Sequence, residues 1–195
     1  MNLIKKLALA ALASLFAFTT FAATLDFHGV KVEDSATVQN IKLPLNGAGT
    51  RYKGGIFKVY VAGLYLGTKA GTAEEVVNQP GPKRLSITML RDIDAAELGK
   101  LLTRGMEDNC SKSEMSKLVP GLMRMSQIFS EQKKMLTGDV FLIEWIPGTG
   151  TVITVKGQVQ GEAFKEAEFF KALMSIWLGP VPADFKLKEA LLGIK

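Results

Sequence analysis

The amino-acid sequence predicts an α+β fold in which helices pack on an antiparallel sheet. Segments with the alternating or β-branched pattern of strands come in consecutive runs, at residues 24–67, 85–90 and 139–160. Segments with helical spacing of apolar residues, or with almost continuous apolar character, occupy residues 94–109, 113–136 and 162–178. Runs of strands followed by runs of helices are typical of α+β domains, whereas parallel sheets alternate single strands with helices.

The chain begins with a segment that has the pattern of a secretory signal peptide. Lys5 and Lys6 precede an apolar run at 7–18, and small residues follow up to Ala22. We therefore expect a signal peptide at 1–22, a domain at 23–195 and a periplasmic or secreted protein. A retained membrane anchor is the alternative, although the run is short for a transmembrane helix. Cleavage would change the net charge from +5 to +3, since the segment holds two lysines and no acid. The remaining basic residues are scattered, so we expect no nucleic-acid partner.

The first β region has a long apolar strand as its main feature. Alternating stretches around Val30 and Ile41 precede the sequence Asn46-Gly47-Ala48-Gly49, which indicates a turn. Residues 56–66 are rich in β-branched and aromatic side chains and predict the long strand. A further short strand is predicted at 85–90, after a Pro-Gly-Pro sequence.

Two helical segments follow. Asp94 is a suitable N-cap for the first, whose apolar stripe includes Leu98, Leu102 and Met106. Asn109 falls on the same stripe, so we expect its amide to face the interior, either fastening the helix end to the sheet or contacting a ligand. The second segment spans 113–136, and Pro120 is predicted to divide it or to begin its longer part.

The C-terminal part returns to strands and then to helices. Residues 139–146 and 151–155 are joined by Pro-Gly-Thr-Gly, which predicts a β-hairpin. Residues 162–178 predict a largely buried helix that ends at Gly179, and Asp184 begins a last short helix.

Single residues exclude several kinds of chemistry. Cys110 is the only cysteine and His28 the only histidine, so neither an intramolecular disulfide nor a Cys/His zinc site can form. We expect no metal, no cofactor and no catalytic residues built around His28, which lies close to the start of the domain.

Residues 49–67 (GTRYKGGIFKVYVAGLYLG) contain the candidate ligand-binding residues Arg51, Lys58 and Tyr60. Two-residue alternation places Lys58 and Tyr60 on one strand face among apolar neighbours. This face is either an ordinary outer surface of the sheet or the floor of a site in which Arg51 holds an anion. Five methionines in the helical segments either fill the core or form an adaptable layer over an apolar ligand.

The chain resembles the chalcone isomerase family, and most closely its bacterial, exported chalcone-isomerase-like branch. Four motifs in the expected order carry the resemblance: Gly-Ala-Gly-Thr-Arg at 47–51, FKVYVAGLYLG at 57–67, MEDNC at 106–110, and IWLG at 176–179 with LKEALLG at 187–193. The resemblance implies an open-faced β-sandwich, with a large antiparallel sheet covered by helices and a ligand cleft between them.

The family's site residues are only partly present. Arg51 and Asn109 match the arginine and asparagine of plant chalcone isomerases, whereas Tyr60, Leu102 and Ile176 replace a threonine, a tyrosine and a hydroxyl residue. The resemblance therefore implies a non-enzymatic protein in which Arg51, Tyr60, Asn109 and Lys58 bind a small amphipathic or fatty-acid-like ligand. The alternatives are a structural or partner-binding protein and, less favoured, an intramolecular lyase or isomerase.

Overall fold

The computed structural model describes residues 24–194. The strands are β1 Thr24–Phe27, β2 Val30–Glu33, β3 Ser35–Val38, β4 Ile41–Lys53, β5 Phe57–Leu66, β6 Lys83–Met89, β7 Ile93–Asp94, β8 Lys134–Met135, β9 Val140–Ile146, β10 Gly150–Val155 and β11 Gln158–Val159. The helices are α1 Ala73–Asn78, α2 Ala95–Glu107, α3 Lys112–Glu131, α4 Ala167–Leu178 and α5 Phe185–Leu191. The predicted signal peptide at 1–22 lies outside the described residues. Between residues 24 and 194, no helix is both long and apolar enough to cross a membrane.

Seven strands form one antiparallel sheet in the order β11-β10-β9-β6-β5-β4-β3. All five helices contribute buried side chains to a core on one face of this sheet. The hairpin of β1 and β2 contributes to a smaller apolar cluster that also includes side chains from β3, β4, β5 and β9. The predicted α+β architecture, a large sheet with a helical layer, is confirmed.

Strand β5 serves both apolar clusters. Ala62 and Leu64 lie in the helix-side core, whereas Val61 and Tyr65 belong to the smaller cluster. This assignment follows the two-residue alternation of a strand. Both faces of β5 are therefore buried, which explains its nearly continuous apolar sequence.

The alternation fails at the beginning of β5. The pairing shifts between Arg51, which pairs with Tyr60, and Tyr52, which pairs with Lys58, so that Val59 is the extra residue of a bulge. Val59 consequently joins Tyr60 in the helix-side core. Strict alternation would place Val59 on the face of Val61 and Lys58 on the face of Tyr60; the bulge moves Val59 to the helix side, and Lys58 is exposed.

The sequence Asn46–Gly49 does not form the predicted turn but lies inside β4. A Cβ atom at Gly47 would stand 2.0 Å from the carbonyl oxygen of Ala190 in α5, so glycine is required for the close approach of helix and strand. The Asn46 amide donates to the carbonyls of Ala70 and Leu191, which fixes a second bulge at this point. Here glycine marks close packing between elements.

The helix boundaries also differ from the predictions. α3 is continuous through Pro120, whose ring lies on the exposed side of the helix, and it ends at Glu131. Residues 134–135 instead pair with β7. α4 begins at Ala167, because Phe164 forms a bridge with Thr151 of β10. The predicted N-caps Asp94 and Asp184 are confirmed by hydrogen bonds from backbone amides.

Candidate functional site

Arg51 and Tyr60 are direct neighbours on adjacent strands. They are cross-strand partners of β4 and β5, next to the bulge at Val59. The guanidinium carbon of Arg51 lies 5.5 Å from the centroid of the Tyr60 ring, within the range of a cation–π contact. Arg51 thus lies within β4, and the structure brings these two predicted site residues together.

The Tyr60 hydroxyl is deeply buried beneath the helices. The residue is 4% exposed, and its oxygen accepts a 2.8 Å hydrogen bond from the indole Nε1 of Trp177. Burial raises the pKa of Tyr60 to about 12, although Arg51 and the indole hydrogen bond oppose this shift. Tyr60 is therefore a neutral phenol at physiological pH, and no hydrogen bond between described residues uses its proton.

The Arg51 side chain is only half-buried, but its Nε atom is inaccessible to solvent. This Nε has no hydrogen-bond partner among the described residues, and none of their ion pairs includes Arg51. A buried N–H group without a partner costs about 1–3 kcal/mol. The arrangement therefore favours an anion that would accept from Arg51.

A cavity of about 140 Å³ opens beside Arg51. Its walls come from the ends of β4 and β5, the connection between β6 and β7, and the first turns of α2; they include Lys53, Val59, Arg91, Asp92, Glu97 and Leu101. The cavity combines basic and acidic groups at its mouth with apolar groups from Val59 and Leu101.

Two of the acids around this cavity are engaged in structural hydrogen bonds. Asp94 accepts from two backbone amides at the start of α2. Asp92 accepts from the amide and hydroxyl of Thr137, and these bonds lower the pKa of its carboxyl group. The bonds keep both carboxylates directed at their own loops, so that Glu97 is the remaining acid of the wall.

Trp177 and Asp184 complete the surroundings of Tyr60, and sequence reasoning did not identify either as part of the site. Trp177 comes from α4 and is almost fully buried. Asp184 accepts from the backbone amide of Tyr52 at 2.8 Å, which attaches the start of α5 to β4. The IWLG motif contained Trp177, but nothing in the sequence indicated which hydroxyl its indole would reach.

Asn109 does not lie at this site. Its amide donates to the carbonyls of Gly105 and Val181 and accepts from the amide of Val181. Asn109 thus joins the end of α2 to the loop after α4, rather than to the sheet. It lines two other cavities between helices, neither of which includes Arg51 or Tyr60.

Lys58 is also separate from the cavity wall. It is exposed on the hairpin of β4 and β5, because the bulge at Val59 interrupts the expected alternation. Of the four predicted site residues, the structure therefore combines Arg51 and Tyr60 and places Asn109 and Lys58 elsewhere.

The interface between sheet and helices is filled with apolar side chains. Met89, Met106 and Met125 are buried there together with Trp177 and Phe129. Met123, in contrast, is 70% exposed on α3. Methionine is unbranched and accommodates irregular space, so this interface can rearrange more easily than one built from β-branched residues.

The sequence from residue 23 to residue 193 matches a family model described as chalcone isomerase-like. No curated protein matches the sequence. Among solved structures, the fold is similar to that of a fatty-acid binding protein from Arabidopsis thaliana, with a TM-score of 0.68. The two proteins share 14% sequence identity, and the match covers 87% of this chain and 96% of the plant chain. The predicted open-faced β-sandwich is thereby confirmed.

Proposed function

Because the chain belongs to the chalcone isomerase-like family, we propose that it is a non-enzymatic protein that binds a small amphipathic carboxylate of the fatty-acid class. The Arg51 guanidinium holds the carboxylate, and the apolar tail enters the helix–sheet interface. The fatty-acid binding function of the similar Arabidopsis protein supports this choice of ligand class.

The observation that carries the proposal is the unpaired Arg51 beside the buried phenol of Tyr60. A carboxylate can accept from a guanidinium through two parallel bonds, and such charge-assisted bonds are stronger than neutral ones. Tyr60 does not line the cavity itself, and its ring contacts the guanidinium through the cation–π interaction. The guanidinium favours the charged end of a fatty acid over a neutral ester.

The tail requires side chains to move. The cavity of about 140 Å³ is smaller than the roughly 300–1,000 Å³ of typical ligand pockets. It accommodates the carboxylate, and the first methylenes contact Val59 and Leu101. Longer tails displace buried methionines, such as Met106, under α2.

We test the headgroup assignment with matched ligands and matched variants. Binding of a fatty acid and of its methyl ester is measured by titration calorimetry for wild type, Arg51→Gln and Arg104→Gln. Arg104 is an exposed residue of α2 and serves as the control for the loss of one positive charge. Arg51→Gln should weaken acid binding about ten- to hundredfold and change ester binding little, because only the acid loses a charge-assisted bond.

Two results would contradict this assignment. Equal losses for acid and ester would show that Arg51 supports the fold instead of the headgroup. If the wild type bound neither compound, the partner-binding alternative would replace the ligand-binding proposal. Native mass spectrometry of the purified protein distinguishes these cases directly, since an acyl ligand and a protein partner add very different masses.

We further propose that the protein is exported to the periplasm or secreted, with residues 1–22 as its signal peptide. The basic start, the apolar run and the small residues before Ala23 support this proposal. N-terminal sequencing of the protein from its native cells should give a start near Ala23. A chain that still begins at Met1 would contradict export by cleavage.

A further inference from the structure

The turn between β4 and β5 exposes two large apolar side chains. Ile56 is 72% exposed and Phe57 is 58% exposed. Gly54 and Gly55 adopt positive φ angles, and a Cβ atom at either would have no other atom within 4 Å. The turn therefore projects from the molecule, with its apolar residues at the tip.

A third exposed apolar residue lies at the same end of the molecule. Phe185, the first residue of α5, is 64% exposed. The bond from the Tyr52 amide to Asp184 holds the start of α5 against β4, next to the pair of Lys53 and Phe57. We call Ile56, Phe57 and Phe185 the apolar tip.

Lysines surround the apolar tip. Lys53 and Lys58 flank the turn on its two strands, and Lys186 follows Phe185. None of the ion pairs between described residues includes these three lysines. Asp184, the acid at the start of α5, is engaged by the backbone amides of Tyr52 and Lys186. The surface around the tip is thus both apolar and positively charged.

From this combination we infer that the apolar tip and its three lysines dock on the surface of a bilayer containing anionic phospholipid. The apolar side chains enter the boundary between headgroups and acyl chains, while the lysines stay at the level of the phosphates. A projecting turn suits a fluid lipid surface, because the lipids close around it. A protein partner, in contrast, needs a complementary surface of about 800 Å².

The cavity at Arg51 adjoins this tip at the end of β4. Lys53 contributes both to the cavity wall and to the lysines around the tip. Docking would therefore place the cavity mouth near the membrane, from which amphipathic molecules partition. Docking does not depend on the proposed ligand, since the tip and the lysines lie outside the cavity apart from Lys53.

A tryptophan reporter at the tip tests the inference with the full chain. Phe57→Trp is compared with Met123→Trp, a position on α3 that is 70% exposed in the wild type. Each variant is mixed with vesicles of pure phosphatidylcholine or with vesicles of phosphatidylcholine that contain about 30 mol % phosphatidylglycerol. The tryptophan emission of the wild type is measured in the same way and subtracted. Only for Phe57→Trp with anionic vesicles should the tryptophan emission shift to shorter wavelength and be quenched by brominated acyl chains. The reporter responds to its own surroundings, so binding through residues 1–22 does not imitate this result.

Further variants separate the apolar contribution from the electrostatic one. In the reporter background, Lys58→Gln and Lys186→Gln should each weaken vesicle binding about fivefold, and the effect should shrink as salt increases. In the wild-type background, the double variant Ile56→Ser/Phe57→Ser should reduce binding at least about tenfold, measured as the fraction that floats with anionic vesicles. Circular dichroism and thermal unfolding establish that each variant is folded.

Several outcomes would overturn the inference. Equal signals from the two tryptophan positions, or no signal from Phe57→Trp, would exclude docking through the tip. Undiminished vesicle binding by the double serine variant would exclude it as well. If the wild type were a dimer that the double serine variant converts to a monomer, the tip would be an interface between two copies of this chain.

Discussion

Lys83 is a charged residue in an apolar environment. It is 2% exposed, its ammonium group lies 5.9 Å from the centroid of the Phe170 ring, and its hydrogen bond to the Gly81 carbonyl is long at 3.3 Å. No ion pair between described residues includes it. Burial lowers the pKa of Lys83 to about 8, because the charged form is poorly solvated.

We predict that Lys83→Met stabilises the protein. At pH 7 the folded state must hold a buried charge, and replacing such a charge with an apolar side chain of similar length should add about 1–2 kcal/mol. This corresponds to an increase in Tm of about 2–8 °C, measured by scanning calorimetry. Lys100→Met, at an exposed position of α2, is the control and should change Tm little. A lower Tm for Lys83→Met would contradict the prediction.

The stability that Lys83→Met adds should depend on pH. In the folded state the pKa of Lys83 is about 8, below the ordinary lysine value of 10.5. Between these two values the unfolded chain binds more protons than the folded one, so the wild type gains stability as pH rises. The advantage of Lys83→Met should therefore shrink between pH 8 and 10.5, provided that both proteins remain reversible. An advantage that stays constant over this range would show that the charge is not its cause.

Sequence reasoning at the residue scale succeeded where the interaction is short-ranged. Arg51 and Tyr60 are joined by a tight hairpin, so the local pattern, together with the family resemblance, predicted that they lie close together. The bond between Trp177 and Tyr60 spans 117 residues, and those between Asn109 and Val181 span 72. Such contacts depend on how the helices pack on the sheet. The spacing of side chains along a single helix or strand does not predict this packing.

At the scale of elements, the contact between α5 and β4 depends on the absence of side chains. A Cβ atom at Gly47 would overlap the carbonyl oxygens of Ala190 and Leu191, at 2.0 and 2.7 Å. These are backbone atoms, which cannot move aside as a flexible side chain can. The helix also contributes its buried Leu187 and Leu191 to the helix-side core, which includes Leu64 of β5.

Gly47→Ala should therefore separate α5 from the sheet. We expect a loss of about 3 kcal/mol in the free energy of unfolding, at the upper end of the usual cost of overpacking, measured by urea denaturation. Faster trypsin cleavage after Lys186 or Lys188 would localise the change to α5. Gly67→Ala is the matched control, because a Cβ atom there meets no atom within 4 Å and its φ is not positive. Similar stability of the two variants would show that α5 is not held at Gly47.

Element prediction failed where tertiary contacts replace local preference. Gly47 and Gly49 suggested a turn by composition, but they lie inside β4 and allow α5 to pack closely against the strand. β7 and β8 are two-residue strands and leave no periodic signal. α1 was overlooked although Thr72 and Glu75 form a capping box, which the sequence Thr-Ala-Glu-Glu could have indicated. The long strand and the helices from Asp94 and Asp184 were predicted correctly, because their patterns are long or their caps are specific.

At the scale of the whole molecule, apolar side chains fill the space between the sheet and the helices. Leu102 of α2 and Ile176 of α4 both lie buried in that core. Ile176 packs against Gly105, where a Cβ atom would stand 2.9 Å from it. The hydroxyl-bearing residues that the family resemblance implies at the corresponding positions of plant chalcone isomerases are thus replaced by close apolar contacts.

We predict that the protein does not accelerate the cyclisation of chalcones. That reaction requires groups that orient a phenolate and stabilise developing enolate charge, and such donors must be in place before the reaction. Here Leu102 and Ile176 supply no donor. Tyr60 has a pKa of about 12, so it remains protonated between pH 7 and 9 and cannot act as a base. We therefore expect no activity to appear as pH rises over this range. The measurement is the loss of chalcone absorbance over this range, compared with buffer alone. Turnover above that background, abolished by Arg51→Ala but not by Arg104→Ala, would contradict the prediction and identify Arg51 as part of an enzymatic site.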